Sequence, residues 1–273
     1  MGVPSIPPTR RHSLAAGRVS AARITLLTDF GTRDGFVGAV KGVLAALAPG
    51  VLVDDIAHDL PAGDIRAAAL ALPRYWRRYP EGTVHLVVVD PGVGTGRRAI
   101  ACSAAGRFLV APDNGVLTPV LTTSGSRCSM IEGVAHPAPV SSTFHARDVF
   151  APVAAALASG TPLTRVGPVV DDPVVMPEAA AVRRGAAGFG SVVGVDRFGN
   201  ATTNLPGGWA ERASVVDVAG LRLVVCGTYG DVATGEALAL VDSEGWIEVA
   251  VRDGSAAERL GLGTGTPVML SPS

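Results

Sequence analysis

Short apolar segments alternate with helix-like segments through the first half of the chain. Ile24–Thr28 and Val84–Val89 are apolar and rich in β-branched residues, which is typical of strands buried on both faces of a parallel sheet. Over Phe36–Leu47 the apolar residues repeat at helical spacing, and Asp64 is placed to cap a second helix that runs to about Tyr79. With a short strand between the two helices, this β-α-β-α-β order predicts a parallel, right-handed, layered sheet.

The remaining segments of this half fit the same layer. A strand is expected between the helices over Val51–Val53. Two further strands, Ala99–Ser103 and Phe108–Ala111, are expected to be joined by a tight turn at Ala105–Gly106, and a closing helix is expected over Asp148–Ala158. Residues 1–22 are basic and rich in proline and serine without a signal-peptide core, so we expect a disordered tail or an overcalled start.

After Gly160 the pattern changes. Four prolines punctuate a stretch without helical periodicity that ends near Gly185, which we interpret as a linker. Beyond it, short valine-rich segments alternate with glycine turns, and four of them are predicted as strands: Ser191–Val195, Ser214–Val218, Leu221–Val225 and Trp246–Val251. We therefore predict an N-terminal Rossmann-like layered α/β domain with a parallel central sheet over residues 23–180. A smaller C-terminal all-β, barrel-like domain follows over residues 186–273.

Composition narrows the class of partner. Of 273 residues 48% are hydrophobic and only 17% charged, with a net charge of −1, so nothing indicates binding to nucleic acid or to an anionic membrane. No apolar run reaches the roughly 18 residues of a membrane span. Cys102, Cys128 and Cys226 are widely spaced, which favours a reduced cytoplasmic protein over a disulfide or zinc framework. The expected partner is a small molecule.

A carboxylate and a glycine-rich loop follow the apolar strand Val84–Val89. Asp90 opens the run Asp-Pro-Gly-Val-Gly-Thr-Gly-Arg-Arg, at the strand end where parallel α/β sheets bind ligands. Its glycines permit close backbone approach to a ligand, and Arg97 is a permanent cation within reach of Asp90. An ordinary strand-end turn with a surface ion pair explains this loop, taken alone, equally well.

Three other loops complete a pattern with Asp90–Arg98. They are Asp29–Gly31, the Thr-Phe-His-Ala-Arg-Asp segment over Thr143–Asp148, and Asp196–Asn200. Together the four loops resemble the family of S-adenosyl-L-methionine hydroxide adenosyltransferases, the adenosine-forming S-adenosylmethionine hydrolases, which is related to fluorinases and chlorinases. The resemblance runs from about residue 24 to residue 267.

The resemblance implies hydrolysis of S-adenosylmethionine to adenosine and methionine, by in-line attack of activated water or hydroxide at the ribose 5′ carbon. It places Asp90, Arg97 and His145 around the water as the catalytic residues, without deciding which of them takes the proton. Ala146 stands where the hydrolases usually have glycine, and this methyl narrows the pocket in a way we expect to be tolerated. Halogenases resemble this chain but carry tyrosine in place of Asp90, and a negative carboxylate repels halide.

The resemblance also implies a binding site for the substrate. Asp29 matches the aspartate that accepts hydrogen bonds from the ribose hydroxyls; its alternative role is to cap the following helix. The other implied substrate-binding residues are in the second domain: Asp196, Phe198, Asn200, Ser243, Glu244 and Gly254. In the family the site lies between the N-terminal domain of one subunit and the C-terminal domain of a neighbour, which implies a homotrimer. A chlorinase and a non-catalytic nucleoside-binding protein remain as alternatives.

The histidines and cysteines are too scattered to predict a metal site, and no cofactor is expected besides the substrate. Nor does a Gly-x-Gly-x-x-Gly motif follow the first strand, which argues against the ordinary methyltransferase or dinucleotide mode of binding. His58 is predicted to be a structural or pocket-wall residue and His85 a core histidine. His12 and His136 are expected in solvated loops.

Overall fold

The computed structural model describes residues 22–132, 139–177, 180–211 and 213–272. Seven strands form the first sheet: β1 Arg23–Thr28, β2 Leu52–Ala57, β3 Val84–Val88, β4 Ala99–Ala104, β5 Arg107–Pro112, β6 Arg127–Met130 and β7 Val169–Val170. Four helices accompany it: α1 Phe36–Leu47, α2 Ile65–Ala71, α3 Thr118–Leu121 and α4 Ala151–Ala158. The second sheet contains β8 Val182–Arg184, β9 Ala187–Val195, β10 Ala201–Pro206, β11 Val215–Val218, β12 Leu221–Cys226, β13 Ala237–Val241, β14 Trp246–Val251 and β15 Pro267–Ser271, with helix α5 over Ala256–Leu260.

The first sheet has the strand order β2-β1-β3-β5-β4-β6-β7. Strands β2, β1, β3 and β5 are parallel, as the alternation of strands and helices predicts. From β5 onward the sheet is antiparallel, because the predicted tight turn at Ala105–Gly106 joins β4 to β5 as a hairpin. The carboxyl ends of β1 and β3 therefore lie side by side, and so do the residues that follow them.

Helices cover both faces of the parallel strands. Alternate residues of β1 and β3 pack on opposite sides: Leu26 and Leu86 contact α1 and α4, whereas Leu27 and Val87 pack against α2 and the turns that follow it. These strand residues are buried with almost no exposed surface. A strand that is buried on both faces is mostly apolar, which is why β3 has no polar alternation; its one polar residue, His85, is paired with Thr25.

Two helices differ from the prediction. Asp64 does cap α2, its carboxylate accepting a hydrogen bond from the backbone of Ala67, but the α-helix ends at Ala71 instead of Tyr79. Pro73 lies in the 3₁₀ turn that follows, and proline cannot donate the backbone hydrogen bond that an α-helix needs. The helix expected from Asp148 begins earlier, as a π-helical turn over Ala146–Phe150 that leads into α4.

The C-terminal strands close into a barrel. Seven of them pair in the cyclic order β9-β10-β14-β13-β12-β11-β15, and β8 extends from β9 outside the ring. Closure leaves no unpaired edge in the ring, and its interior is filled by valine, leucine and alanine side chains from the inward faces. The predicted fold class, a layered α/β domain with a barrel-like β domain, is confirmed.

The cysteine prediction is wrong. Cys102 and Cys128 form a disulfide, although 26 positions separate them in sequence. They stand directly opposite each other on the antiparallel strands β4 and β6, a pairing that sequence spacing does not reveal. Cys226 has a free thiol.

Some predictions fall outside the described residues. These are the tail over residues 1–21, and the solvated positions of His12 and His136. Among the described residues, His85 is fully buried as predicted, its Nδ1 lying 2.7 Å from the hydroxyl of Thr25. In the described ranges, no helix combines the length and the apolarity that crossing a membrane requires.

Candidate active site

Asp90 and Arg97 form a buried ion pair just beyond β3. Arg97 Nε lies 2.9 Å and 3.0 Å from the two carboxylate oxygens of Asp90, and Arg97 Nη2 lies 2.5 Å from Oδ2. The exposed fraction of the side chain is 5% for Asp90 and 11% for Arg97. Such a pair is shielded from solvent and held in one geometry, unlike a surface ion pair. The surface-pair interpretation of this loop is therefore wrong.

His145 extends the pair into a chain of three side chains. Arg97 Nη2 lies 2.8 Å from His145 Nδ1. A guanidinium group can only donate, so Nδ1 accepts and the ring proton of a neutral His145 is on Nε2. Below the guanidinium, Arg97 Cζ lies 5.2 Å from the centroid of the buried Phe150 ring, in cation–π geometry. Arg97 thus holds one carboxylate and one imidazole in fixed positions.

Gly94 allows the loop of Asp90 to pack closely against another segment of the chain. At Gly94, φ is +77°, and an added Cβ would lie 2.2 Å from the carbonyl oxygen of Ser142. Only glycine tolerates both the left-handed backbone and this close approach. Because Ser142 is three residues before His145, this contact joins the loop of Asp90 to the segment that carries the imidazole. The sequence predicts that the glycines of this loop let the backbone come close to a ligand. Instead, Gly94 lets the loop of Asp90 come close to the loop of His145.

Asp29 follows β1 and faces the same cavity. Its Oδ2 accepts a hydrogen bond of 2.7 Å from the backbone of Gly63, while Oδ1 has no hydrogen-bond partner among the described residues. The alternative role as a helix cap does not apply, since α1 begins after Gly35 and has no side-chain cap. The Asp29 carboxylate is therefore held in place through Oδ2, and Oδ1 can accept a hydrogen bond from a ligand.

A cavity of about 450 Å³ joins these groups. Asp29, Asp90 and His145 line it, and so do three phenylalanines with rings packed edge to face, at centroid distances of 5.3 to 6.4 Å. The three rings belong to Phe30, Phe36 and Phe144. Phe36 belongs to the apolar repeat that predicts α1, yet 48% of its surface is exposed. As the first residue of α1, it has no preceding turn to pack against.

The implied binding residues of the barrel lie elsewhere in the chain. Asp196 and Glu244 line a second cavity, of about 700 Å³, which is bounded by α2 and by the barrel. Glu244 accepts a hydrogen bond of 2.6 Å from Arg78 of the first domain, and Ser243 is exposed beside it. Phe198 has 75% of its surface exposed. Within one chain, none of these residues lines the cavity of Asp90, and neither do Asn200 and Gly254.

Asp196 shapes the turn that presents Phe198. Its Oδ1 accepts hydrogen bonds from the backbone of Phe198 at 2.8 Å and of Asn200 at 2.9 Å. Gly199 has φ +83°, and an added Cβ would lie 2.1 Å from the hydroxyl of Ser255. The turn is therefore rigid, and it holds an aromatic ring out toward solvent.

No group of three or more histidine, cysteine, aspartate or glutamate side chains in the described part of the chain is arranged to hold a metal ion. The chemistry available in the first cavity is that of a fixed carboxylate, guanidinium and imidazole beside an apolar wall. This arrangement orients and polarises a small nucleophile such as water.

Comparison with known proteins identifies the family. Residues 24–167 match the SAM hydroxide adenosyltransferase N-terminal domain and residues 190–269 the corresponding C-terminal domain. An (R)-S-adenosyl-L-methionine hydrolase from Thermus thermophilus is 44% identical over 90% of this chain and 98% of its own length. One from Salinispora tropica is also 44% identical, over 89% and 95%. A fluorinase from an Actinoplanes species is more distant, at 27% identity over 83% of this chain and 90% of its own.

Solved structures agree. An uncharacterised conserved protein from Thermotoga maritima superposes with a TM-score of 0.85 at 36% identity, over 91% of this chain and 99% of its own. A conserved hypothetical protein from Thermus thermophilus gives 0.77 at 42% identity, over 92% and 100%. Both domain models match in the expected order and together they cover most of the chain, so this protein belongs to the SAM hydroxide adenosyltransferase family.

Proposed function

We propose that this protein hydrolyses S-adenosyl-L-methionine to adenosine and L-methionine. The observation that carries the proposal is the buried chain Asp90–Arg97–His145, which borders one cavity with Asp29. The names of the relatives further support the (R) epimer at sulfur as the preferred substrate. The sulfonium substrate already carries its own leaving group, so the protein needs to supply only an aimed nucleophile.

In the proposed reaction the water oxygen attacks the 5′ carbon as the bond from that carbon to sulfur breaks. The bonding electron pair goes to sulfur, the sulfonium becomes the neutral thioether of methionine, and the water proton leaves through the site to solvent. Asp90 orients and deprotonates the water, and Arg97 stabilises the hydroxide that forms. His145 completes the hydrogen-bond network or shuttles the proton. Asp29 binds the ribose hydroxyls.

The test is to incubate the protein with each sulfur epimer and to resolve adenosine, methionine and 5′-chloro-5′-deoxyadenosine, with and without high chloride. We expect adenosine and methionine in equal amounts, faster from the (R) epimer, and no chlorinated product. A chloride-dependent product would make the protein a chlorinase. Binding of the substrate without adenosine release over hours would leave the non-catalytic alternative.

We propose further that the active protein is a homotrimer with sites between subunits. The support is that the six implied binding residues of the barrel, led by the protruding Phe198, lie away from the cavity of Asp90 in their own chain. They would then complete the site of a neighbour: Asp196 and Asn200 hold the methionine end or the adenine edge, and Phe198 lies against the nucleoside. Ser243 and Glu244 would contact methionine, and the backbone at Gly254 adenine.

Mixed oligomers test this shared site. Subunits with Asp90→Asn and subunits with Phe198→Ala, each weak alone, should regain part of the activity when they are co-expressed, because some sites then contain only intact halves. Mixed trimers without any recovery would contradict the shared site. A cytoplasmic location is also proposed, and it now rests on the substrate alone, since two of the cysteines are paired.

A further inference from the structure

His58 is a buried imidazole that lies outside the proposed catalytic chain. It directly follows β2, its side chain is 5% exposed, and it does not line the cavity of Asp90. Both ring nitrogens have partners: Nδ1 lies 2.8 Å from the hydroxyl of Thr28, and Nε2 lies 3.0 Å from a carboxylate oxygen of Asp55. Asp55 in turn contacts Lys41 at 2.6 Å, at the surface.

These contacts assign the proton of the neutral ring. Burial raises the pKa of Asp55, but hydrogen bonds from Lys41 and His58 lower it by more, so the pKa stays below its usual value. An ionised carboxylate can only accept, so His58 donates from Nε2 and its Nδ1 accepts from Thr28. The hydroxyl oxygen of Thr28 remains an acceptor for the backbone of Phe30, at 3.3 Å. Each group in the network therefore has a defined direction of donation.

The network holds both sides of Asp29. On one side, the His58 ring bonds Thr28, the residue before Asp29. On the other, the carbonyl of His58 accepts a hydrogen bond of 2.6 Å from the backbone of Gly31. The loop that leaves His58 then supplies Gly63, whose backbone bonds the Asp29 carboxylate. His58 thus bonds Thr28 and Gly31, which lie before and after Asp29, and it begins the loop in which Gly63 bonds the Asp29 carboxylate.

We propose that His58 is a positioning residue for Asp29 and thereby sets the affinity of the site for the ribose hydroxyls. This inference rests on the proposed function, in which Asp29 binds the ribose. A bidentate contact between a carboxylate and two hydroxyls depends on the direction of both oxygens, so a loosened loop weakens binding. The bonds of Asp90, Arg97 and His145 with one another do not pass through His58, so the chemical step keeps its rate.

The test measures adenosine affinity by calorimetry and, separately, kcat and KM for S-adenosylmethionine. Thr28→Val removes the hydroxyl with little change of shape, and Thr28→Ser retains it. His58→Asn keeps a hydrogen-bond acceptor near the position of Nδ1, so it can still bond Thr28. His58→Gln keeps a polar group only near the position of Nε2, so it can bond Asp55 but not Thr28. We expect Thr28→Val and His58→Gln to weaken adenosine binding about three- to tenfold, the cost of one buried hydrogen bond, and to raise KM similarly. Thr28→Ser and His58→Asn should stay near wild type, and kcat should change little in all four.

The chain offers a matched control in the same strand. Thr25, three residues before Thr28 in β1, is a buried threonine whose hydroxyl lies 2.7 Å from the Nδ1 of the buried His85. Thr25→Val removes an equivalent bond away from the site, and adenosine binding should remain at the wild-type level. Wild-type adenosine affinity in Thr28→Val and His58→Gln would overturn the inference, as would a fall of kcat at constant KM. Failure of the wild-type protein to release adenosine would instead refute the proposed function, because the binding series does not depend on turnover.

Discussion

Replacing Asp90 by asparagine removes the charge that Arg97 holds and that the proposed water activation requires. Asparagine keeps one oxygen as an acceptor but turns an amide N–H toward the guanidinium, so at least one of the three contacts with Arg97 becomes repulsive. The loss of a general base and of an oriented carboxylate lowers kcat by roughly 100- to 10,000-fold. Because Asp29 is held by Gly63 and not by Asp90, adenosine affinity should stay close to the wild-type value.

The same substitution also affects stability, which a control must separate from catalysis. A buried cation without its partner destabilises the fold by about 3 kcal/mol. The neighbouring pair of Arg98 and Asp113 is a matched control: its two side chains meet at 2.7 Å, Asp113 has 1% of its side chain exposed, and neither residue lines the cavity. Asp113→Asn should also lower the free energy of unfolding, although by less, because Arg98 is a third exposed and keeps its contact with Asp172. It should leave kcat within a fewfold of wild type.

The assays are adenosine release followed by chromatography, adenosine binding by calorimetry, and unfolding in denaturant. Wild-type turnover in Asp90→Asn would show that Asp90 does not activate the water. Equal losses of activity in Asp113→Asn and Asp90→Asn at the same stability would show that the effect is one of folding. Loss of adenosine affinity in parallel with kcat would make Asp90 a structural residue.

Three further outcomes follow from the structure. Gly94→Ala should reduce kcat strongly by forcing the loop away from Ser142, and a variant with wild-type kinetics would show that the contact is dispensable. Burial, reinforced by the charge of Arg107, lowers the pKa of His85 to about 4. Between this pKa and the ordinary value of about 6.5, His85 is neutral in the folded state but protonated in the unfolded state. The free energy of unfolding should thus fall by about 3 kcal/mol between pH 6.5 and 4, and denaturant titrations of His85→Gln should lack this fall. Reduction of the disulfide, or Cys102→Ser, should lower the free energy of unfolding by about 3 kcal/mol, measured with and without dithiothreitol; an equal midpoint in both would mean that the bond does not form in solution.

Local patterns predicted much of the N-terminal domain. The apolar run of β3 and the helical spacing over Phe36–Leu47 correspond to elements of the structure, as does the cap at Asp64. These features depend on interactions within a few residues, so they can be read along the chain. The early end of α2 at Ala71 also has a local cause, Pro73, which the pattern of apolar residues concealed.

Nonlocal contacts could not be predicted in the same way. The disulfide depends on the register between β4 and β6, and the exposure of Phe36 depends on what packs around the start of α1. The hydrogen bonds of His58 join the ends of two parallel strands to the loop after them. In each case the partners are far apart in sequence, and only the arrangement of the sheet brings them together.

The residues that bear the chemistry can be recognised along the chain: a carboxylate at the end of a buried strand, a cation seven positions later, and the four loops that mark the family. How these groups meet depends on the folded arrangement. It buried Asp90 and Arg97 as one pair, joined His145 to them, and placed the implied binding residues of the barrel outside their own chain's cavity. The difference arises because the type of a side chain is a local property, whereas its burial, its hydrogen-bond direction and its neighbours depend on the packing of distant segments.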